Sequence, residues 1–123
     1  MILSLTSGSS KGTMPMMGGT GPADAATETF LRYLAAEVGP DGVRVVGIHT
    51  AGVVETLTPE KIGMVDSGGP DPEEVVTMLA GMAMLRRAPR LADVTETAAF
   101  LASDRASGIT ASVVNVTCGL VAG

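Results

Sequence analysis

Apolar residues enter this chain in two rhythms, and the alternation between them lays out an α/β fold. Residues 1–6 (Met-Ile-Leu-Ser-Leu-Thr) form a short, mostly apolar run that ends at Ser7-Gly8-Ser9-Ser10-Lys11-Gly12, the pattern of a buried strand running into a loop. Pro22 suits the first turn of a helix, where an N–H has no partner to lose, and Gly39-Pro40 supplies a stop. A helix is therefore predicted over 22–38, with Ala23, Ala26, Phe30 and Leu34 along one face. Asp41-Gly42 turns the chain into the β-branched run 43–48, a second strand. Strand, helix and strand at this spacing make a βαβ unit with parallel strands.

Residues 50–70 are loop-rich, with a short helix expected after Thr58-Pro59 and a flexible break at Ser67-Gly68-Gly69-Pro70. Asp71-Pro72-Glu73-Glu74 then offers an N-cap, a first-turn proline and a first-turn carboxylate, so a helix is predicted from 71 to about 87. Its Val75, Met78, Leu79, Met82 and Leu85 form an apolar stripe, read as core, with a pliable wall of an apolar substrate pocket as the alternative. A further helix after Pro89 carries Val94, Ala98 and Leu101 on one face and ends near Ser103-Asp104. Residues 111–116 are the last strand.

Composition narrows the possibilities. The 123 residues allow one domain, and 46% hydrophobic residues with no Trp, two Phe and one Tyr require an aliphatic core. A net charge of −5 leaves no basic face for nucleic acid, since Arg86, Arg87 and Arg90 are the only basic cluster and read as helix C-terminal charges. Cys118 and His49 are each the only residue of their type, so no disulfide, zinc cluster or Cys-His pair forms within the chain, no metal is expected, and a cytoplasmic protein is. Neither a secretion signal nor an apolar run of membrane-spanning length is present, so no membrane partner is expected.

Phe30-Leu31-Arg32-Tyr33-Leu34-Ala35-Ala36-Glu37-Val38-Gly39-Pro40, leading into Gly42-Val43-Arg44-Val45-Val46, resembles the central helix and following strand of the short-chain dehydrogenases/reductases. Ala99-Phe100-Leu101-Ala102-Ser103-Asp104, then Gly108-Ile109-Thr110-Ala111 and Val114-Asn115-Val116, resembles that family's last helix and last strand. The resemblance implies a partial Rossmann-like, doubly wound parallel sheet of about three strands, in family order 5-6-7. The whole chain 1–123 is then a single partial domain, the C-terminal half of the family fold, and 50–88 is its lid over the substrate. It further implies NAD or NADP as cofactor, a small carbonyl or alcohol substrate, and at least a homodimer through the long helix. The Gly-rich turn that receives a cofactor's pyrophosphate belongs to the other half; Thr6-Ser7-Gly8-Ser9-Ser10-Lys11-Gly12 lacks its glycine spacing.

The family places a carbonyl-polarising Ser after its fifth strand, a Tyr thirteen positions on and a Lys four beyond that. Counting here gives Ser7, Thr20 and Asp24. Only the serine is retained. An aliphatic hydroxyl is far less acidic than a phenol, and a carboxylate in place of an ammonium disfavours a neighbouring anion. Thr20 and Asp24 read rather as a helix cap and a charge complementing the helix dipole. Beyond the second strand the resemblance implies nicotinamide contacts at Thr50, Ala51, Val53 and Thr56, although Thr50-Ala51 departs from the family's Pro-Gly. His49 reads as a solvated loop residue and Cys118 as a small buried one. Two functions follow: an oxidoreductase of this family with its usual acid–base pair replaced, or a non-catalytic oligomerisation module.

Overall fold

The computed structural model of the chain describes residues 1–12, 15, 18–60 and 71–123. Three strands, β1 (Ile2–Ser7), β2 (Val45–Thr50) and β3 (Ser112–Val116), form a parallel sheet in the order β1-β2-β3. Register pairs Ile2 with Val45 and Ser7 with Thr50 on one side of β2, and Val46 with Ser112 and Thr50 with Val116 on the other. The three strands and their order are those expected; each observed strand lies one or two residues further along the chain or within the expected span.

Alternation along the central strand divides the core into two. Val45 faces helix α1 (Thr20–Val38) and packs with Leu31 and Ala35. Val46 and Ile48 face the other way, packing with Val53, Val94, Leu101 and Ala106, so that helix α3 (Leu91–Ala102) covers the opposite layer. Val94, Ala98 and Leu101 form the inward face of α3, as the spacing indicates. Gly47 lets α1 approach β2, since a Cβ there would lie 3.3 Å from Leu31 Cδ1 and 3.1 Å from a Val113 methyl. Arg44 ties the layers together at the start of β2, donating to the carbonyls of Ile109 and Ser103.

Helix α1 begins two residues before Pro22 and buries a different face from the one expected. Its inward stripe is Gly21, Asp24, Glu28, Leu31 and Ala35, at alternating steps of three and four, while Phe30 is 61% exposed. The polar residues on that stripe are retained because the strand ends beneath supply hydroxyls and an imidazole. Helix α2 (Pro72–Met82) starts at the expected Asp71 cap, whose carboxylate accepts from Glu73 N–H, but stops five residues early. Ala83 turns extended, and the N–H groups of Met84 and Leu85 donate to the carbonyls of Gly119 and Cys118. Pairing with the C-terminal tail thus replaces the last helical turn. Only Leu79 of the expected stripe is buried; Met78, Met82 and Leu85 are exposed, so the core reading of these methionines is corrected.

Among the described residues β1 pairs only with β2, and Leu3 and Leu5 are exposed, the uncovered edge that a three-stranded sheet implies. The Ser67-Gly68-Gly69-Pro70 break and the helix expected after Thr58-Pro59 fall outside the described residues; Val54–Thr56 forms a short 3-10 turn ahead of them. No described helix is long and apolar enough to cross a membrane.

Candidate active site at the carboxyl ends of the strands

Parallel strands of this sheet all deliver their carboxyl ends to one rim. Ser7, the last residue of β1, sits opposite Thr50, the last of β2. After Ser7 the chain makes a 3-10 turn, Gly8–Lys11, capped by Ser7 Oγ accepting from Ser9 N–H at 3.2 Å. Helix α1 lies against this turn because residue 21 is glycine: a Cβ would come within 2.9 Å of the Ser9 carbonyl oxygen.

That close approach brings Asp24 onto Ser7. Oδ2 of Asp24 accepts from Ser7 Oγ at 2.5 Å, from Ser9 Oγ at 2.9 Å and from the Ser7 N–H at 3.2 Å, and the two serine hydroxyls also touch. Burial pushes this carboxyl upward, but the three serine donors, with a smaller electrostatic contribution from His49, outweigh it, so its pKa falls below the ordinary 3.8. The expected role of Asp24 as a dipole complement is therefore corrected: it lies beyond the first helical turn and is spent on serine donors. Thr20 is exposed at the start of α1; the N-cap is Gly19, and no side chain caps the helix.

One turn further along α1 lies a second polar centre, absent from the sequence reading. Glu28 is 4% exposed, and its Oε1 accepts from Ser10 Oγ at 2.7 Å and Thr6 Oγ1 at 3.1 Å. His49 Nδ1 lies 3.1 Å from the same oxygen and 3.2 Å from Thr6 Oγ1. His49 is 1% exposed and sits within β2, register-paired with Thr6, so its placement in a solvated loop is corrected. Among the described residues no buried side-chain nitrogen or oxygen lacks a partner. The signal that could have found this centre is the three-and-four stripe through residues 21, 24, 28, 31 and 35, combined with strand alternation of Val45, Gly47 and His49.

The stretch beyond β2 carries the other expected contacts. Thr50 and Ala51 are half-buried, Val53 is buried, and Thr56 is exposed, its hydroxyl donating to the Val53 carbonyl at 2.8 Å. The chain's basic cluster is divided: Arg86 donates to the Gly81 carbonyl near the end of α2, the expected helix-end role, whereas Arg87 grips Asp93 in the first turn of α3 at 2.5 and 3.1 Å. Those bonds hold the Asp93 carboxyl down at about 2. Cys118 is buried and free, as expected, beside an open cavity of about 740 Å³ lined by Met84, Leu85, Arg87, Val114 and Val116. That cavity belongs to β3, two strands away from Ser7. No group of three metal-ligating side chains occurs among the described residues.

A family model described as enoyl-(acyl carrier protein) reductase matches residues 1–121. The chain belongs to this family of short-chain dehydrogenases/reductases. It is 39% identical over 124 residues to the enoyl-[acyl-carrier-protein] reductase [NADH] FabI of Synechocystis sp., matching 94% of this chain and 45% of that protein. The Escherichia coli FabI is 34% identical, matching 96% of this chain and 42% of its own length. Among solved structures, the Bacillus cereus enoyl-acyl carrier protein reductase, with NADP+ and indole naphthyridinone, superposes with a TM-score of 0.79 at 29% identity, covering 99% of this chain and 45% of that one. Sorbitol-6-phosphate 2-dehydrogenase SrlD of Erwinia amylovora superposes with a TM-score of 0.83 at 25% identity, covering 99% and 48%. The chain thus spans about half the length of the relatives it matches, and it has the fold of a C-terminal half of these Rossmann-type oxidoreductases.

Proposed function

We propose that the chain is the substrate-side half of a nicotinamide-dependent short-chain oxidoreductase, acting between NAD or NADP and a small carbonyl or alcohol compound. One observation carries the reading: Ser7 and Thr50 end adjacent parallel strands side by side, with the stretch through Val53 and Thr56 leaving the same rim. In open α/β sheets, ligands take the crevice outside the carboxyl ends of the strands. Ser7 is then the hydroxyl nearest the reacting oxygen and Asp24 the group that controls its proton, while Thr20, exposed and outside those bonds, takes no proton-transfer role.

The residues present fit the nicotinamide end of such a cofactor. Val53 offers an apolar wall, and the Thr56 hydroxyl, with its proton given to the Val53 carbonyl, keeps lone pairs for a carboxamide N–H; Thr50 and Ala51 set the turn ahead of them. They do not fit the pyrophosphate, because no glycine spacing of the required kind occurs in the 123 residues. A bound nicotinamide supplies two-electron hydride chemistry; the chain's residues orient it and handle the proton. Residues 50–88 act as the lid in this reading. It also places the protein in the cytoplasm as at least a homodimer, joined across the face of α1 where Phe30 and Tyr33 are exposed.

The commitment of the Ser7 proton to Asp24 favours a second reading, a non-catalytic oligomerisation module. Calorimetric titration of the purified chain with NADH and NADPH separates the two. Saturable binding accompanied by turnover removes the module reading, and the absence of both removes the oxidoreductase reading for this chain.

A further inference from the structure

We propose that Glu55 is the positioning residue of the nicotinamide contact: its carboxylate clasps the first turn of α3 and thereby fixes where the neighbouring Thr56 hydroxyl stands. The inference rests on the nicotinamide-dependent function proposed above and adds to it the residue that sets the geometry of that contact. Glu55 itself touches no cofactor; it acts through Thr56.

Hydrogen bonds from two adjacent residues join the stretch beyond β2 to the start of α3. Leu91 N–H donates to Glu55 Oε2 at 2.8 Å, and Val54 N–H donates to the Pro89 carbonyl at 3.0 Å. Leu91 is the first residue of α3, so its N–H is one of the donors that a helix leaves without an internal partner. The nearest carboxylate on α3 itself is already engaged, because Asp93 accepts from Arg90 N–H at 2.8 Å and from the Arg87 guanidinium. The partner of Leu91 comes instead from 36 positions away, and its negative charge meets the positive end of the helix dipole.

The turn that carries Thr56 is otherwise held from one side. Val53 anchors its start by packing into the core with Val46, Ile48, Val94 and Leu101. Within the turn the bonds are internal: the Thr56 N–H and hydroxyl both donate to the Val53 carbonyl, at 2.9 and 2.8 Å, and Leu57 N–H donates to the Val54 carbonyl at 3.2 Å. These bonds fix Thr56 relative to Val53 without tying it to a second element. Glu55 supplies that tie, and α3 is a firm reference for it, since Val94 and Leu101 pack the helix onto the same strand that feeds the turn. Without the carboxylate, the Val54–Pro89 bond becomes a single pivot for the residues that follow. Glu55→Gln keeps a side-chain oxygen that can accept from Leu91 N–H, whereas Glu55→Ala keeps none.

The test titrates the 123-residue chain with NADH by calorimetry. In Glu55→Ala the Kd should rise about fivefold, the equivalent of one lost helix-capping bond, and Glu55→Gln should restore it to within about twofold. In a Thr56→Val background Glu55→Ala should add no further loss, because the two substitutions then remove one shared contact. Leu101→Val, which weakens α3 at its buried face away from the first turn, should lower the urea midpoint and leave the Kd unchanged. In the cofactor-free chain, amide relaxation should show Thr56 gaining fast motion in Glu55→Ala and not in Glu55→Gln. Absence of saturable NADH binding by the parent chain overturns the functional reading and this inference together. Saturable binding that Glu55→Ala leaves unchanged, that Glu55→Gln fails to restore, that falls as much without the Thr56 hydroxyl as with it, or that Leu101→Val weakens equally, overturns this inference alone.

Discussion

Removal of the Glu28 carboxylate is the perturbation that most sharply tests how the inward face of α1 is held. Glu28→Ala strips one buried oxygen of three partners: Ser10 at 2.7 Å, Thr6 at 3.1 Å and His49 at 3.1 Å. Ser10 is half-exposed and recovers a bond to water, and Thr6 and His49 keep each other at 3.2 Å, so the loss is smaller than three charge-assisted bonds. Breaking a buried pair by deleting one partner costs about 3–5 kcal/mol, against a total stability on the order of 5–15 kcal/mol for a domain of this kind. Replacing both members by apolar residues of similar volume, Glu28→Met with His49→Met, removes the pair itself but leaves the buried Thr6 hydroxyl without a partner, and should cost roughly 1–3 kcal/mol. The double variant is thus expected to be more stable than Glu28→Ala. The assay is urea unfolding followed by far-ultraviolet circular dichroism, because the chain has no Trp and its one Tyr, Tyr33, is 75% exposed and a poor reporter of the core. A loss below about 1 kcal/mol for Glu28→Ala, or a double variant as unstable as the sum of the single methionine variants, refutes the claim that this pair is a satisfied buried centre.

The remaining expectations are more local. Asp24 has its folded pKa below the ordinary 3.8, so it contributes stability that is present above that value and is lost as pH falls through the lower folded pKa; Asp24→Asn should flatten the acid limb of stability against pH, and an unchanged limb contradicts the assignment. Leu101→Ala, at a fully buried position of the α3 layer, should cost about 2–5 kcal/mol. Its neighbour Phe100→Ala, exposed on the same helix, should cost clearly less, and equal losses would show that α3 packs by another face. In Arg87→Ala the Asp93 carboxyl should rise from about 2 toward 3.8, as read from its carboxyl carbon resonance; no movement means that the Arg87 bonds do not hold it down.

Much of the architecture was legible because its signals are local. Apolar runs, Pro22, the Gly39-Pro40 stop and the Asp71 cap place the three strands and the starts of the helices, and the family pattern supplies their order. Errors arose where tertiary contacts override local preference. The last turn of α2 is lost to pairing of Met84 and Leu85 with Gly119 and Cys118, a contact spanning more than thirty residues that no propensity records. The inward face of α1 was misjudged for a related reason: Asp24 and Glu28 look like surface residues until Ser7, Ser9, Ser10, Thr6 and His49 are seen beneath them. At the candidate site, counting along the chain picked out Ser7 and Asp24, which the structure joins by a hydrogen bond, and Thr20, which it leaves exposed. His49 was misplaced because the strand runs two residues further than its β-branched core, and that extension is fixed by register with Thr6 and Ser7.

The central claim, that the rim formed by Ser7, Asp24 and the stretch from Thr50 to Thr56 receives a nicotinamide, is tested most directly by titrating the isotopically labelled chain with NADH and following its amide resonances. The account predicts saturable shifts concentrated at Ser7, Thr50, Ala51, Val53 and Thr56, leaving residues around the cavity at β3 unmoved. Shifts confined to that cavity, or no saturable shift at all, would contradict it.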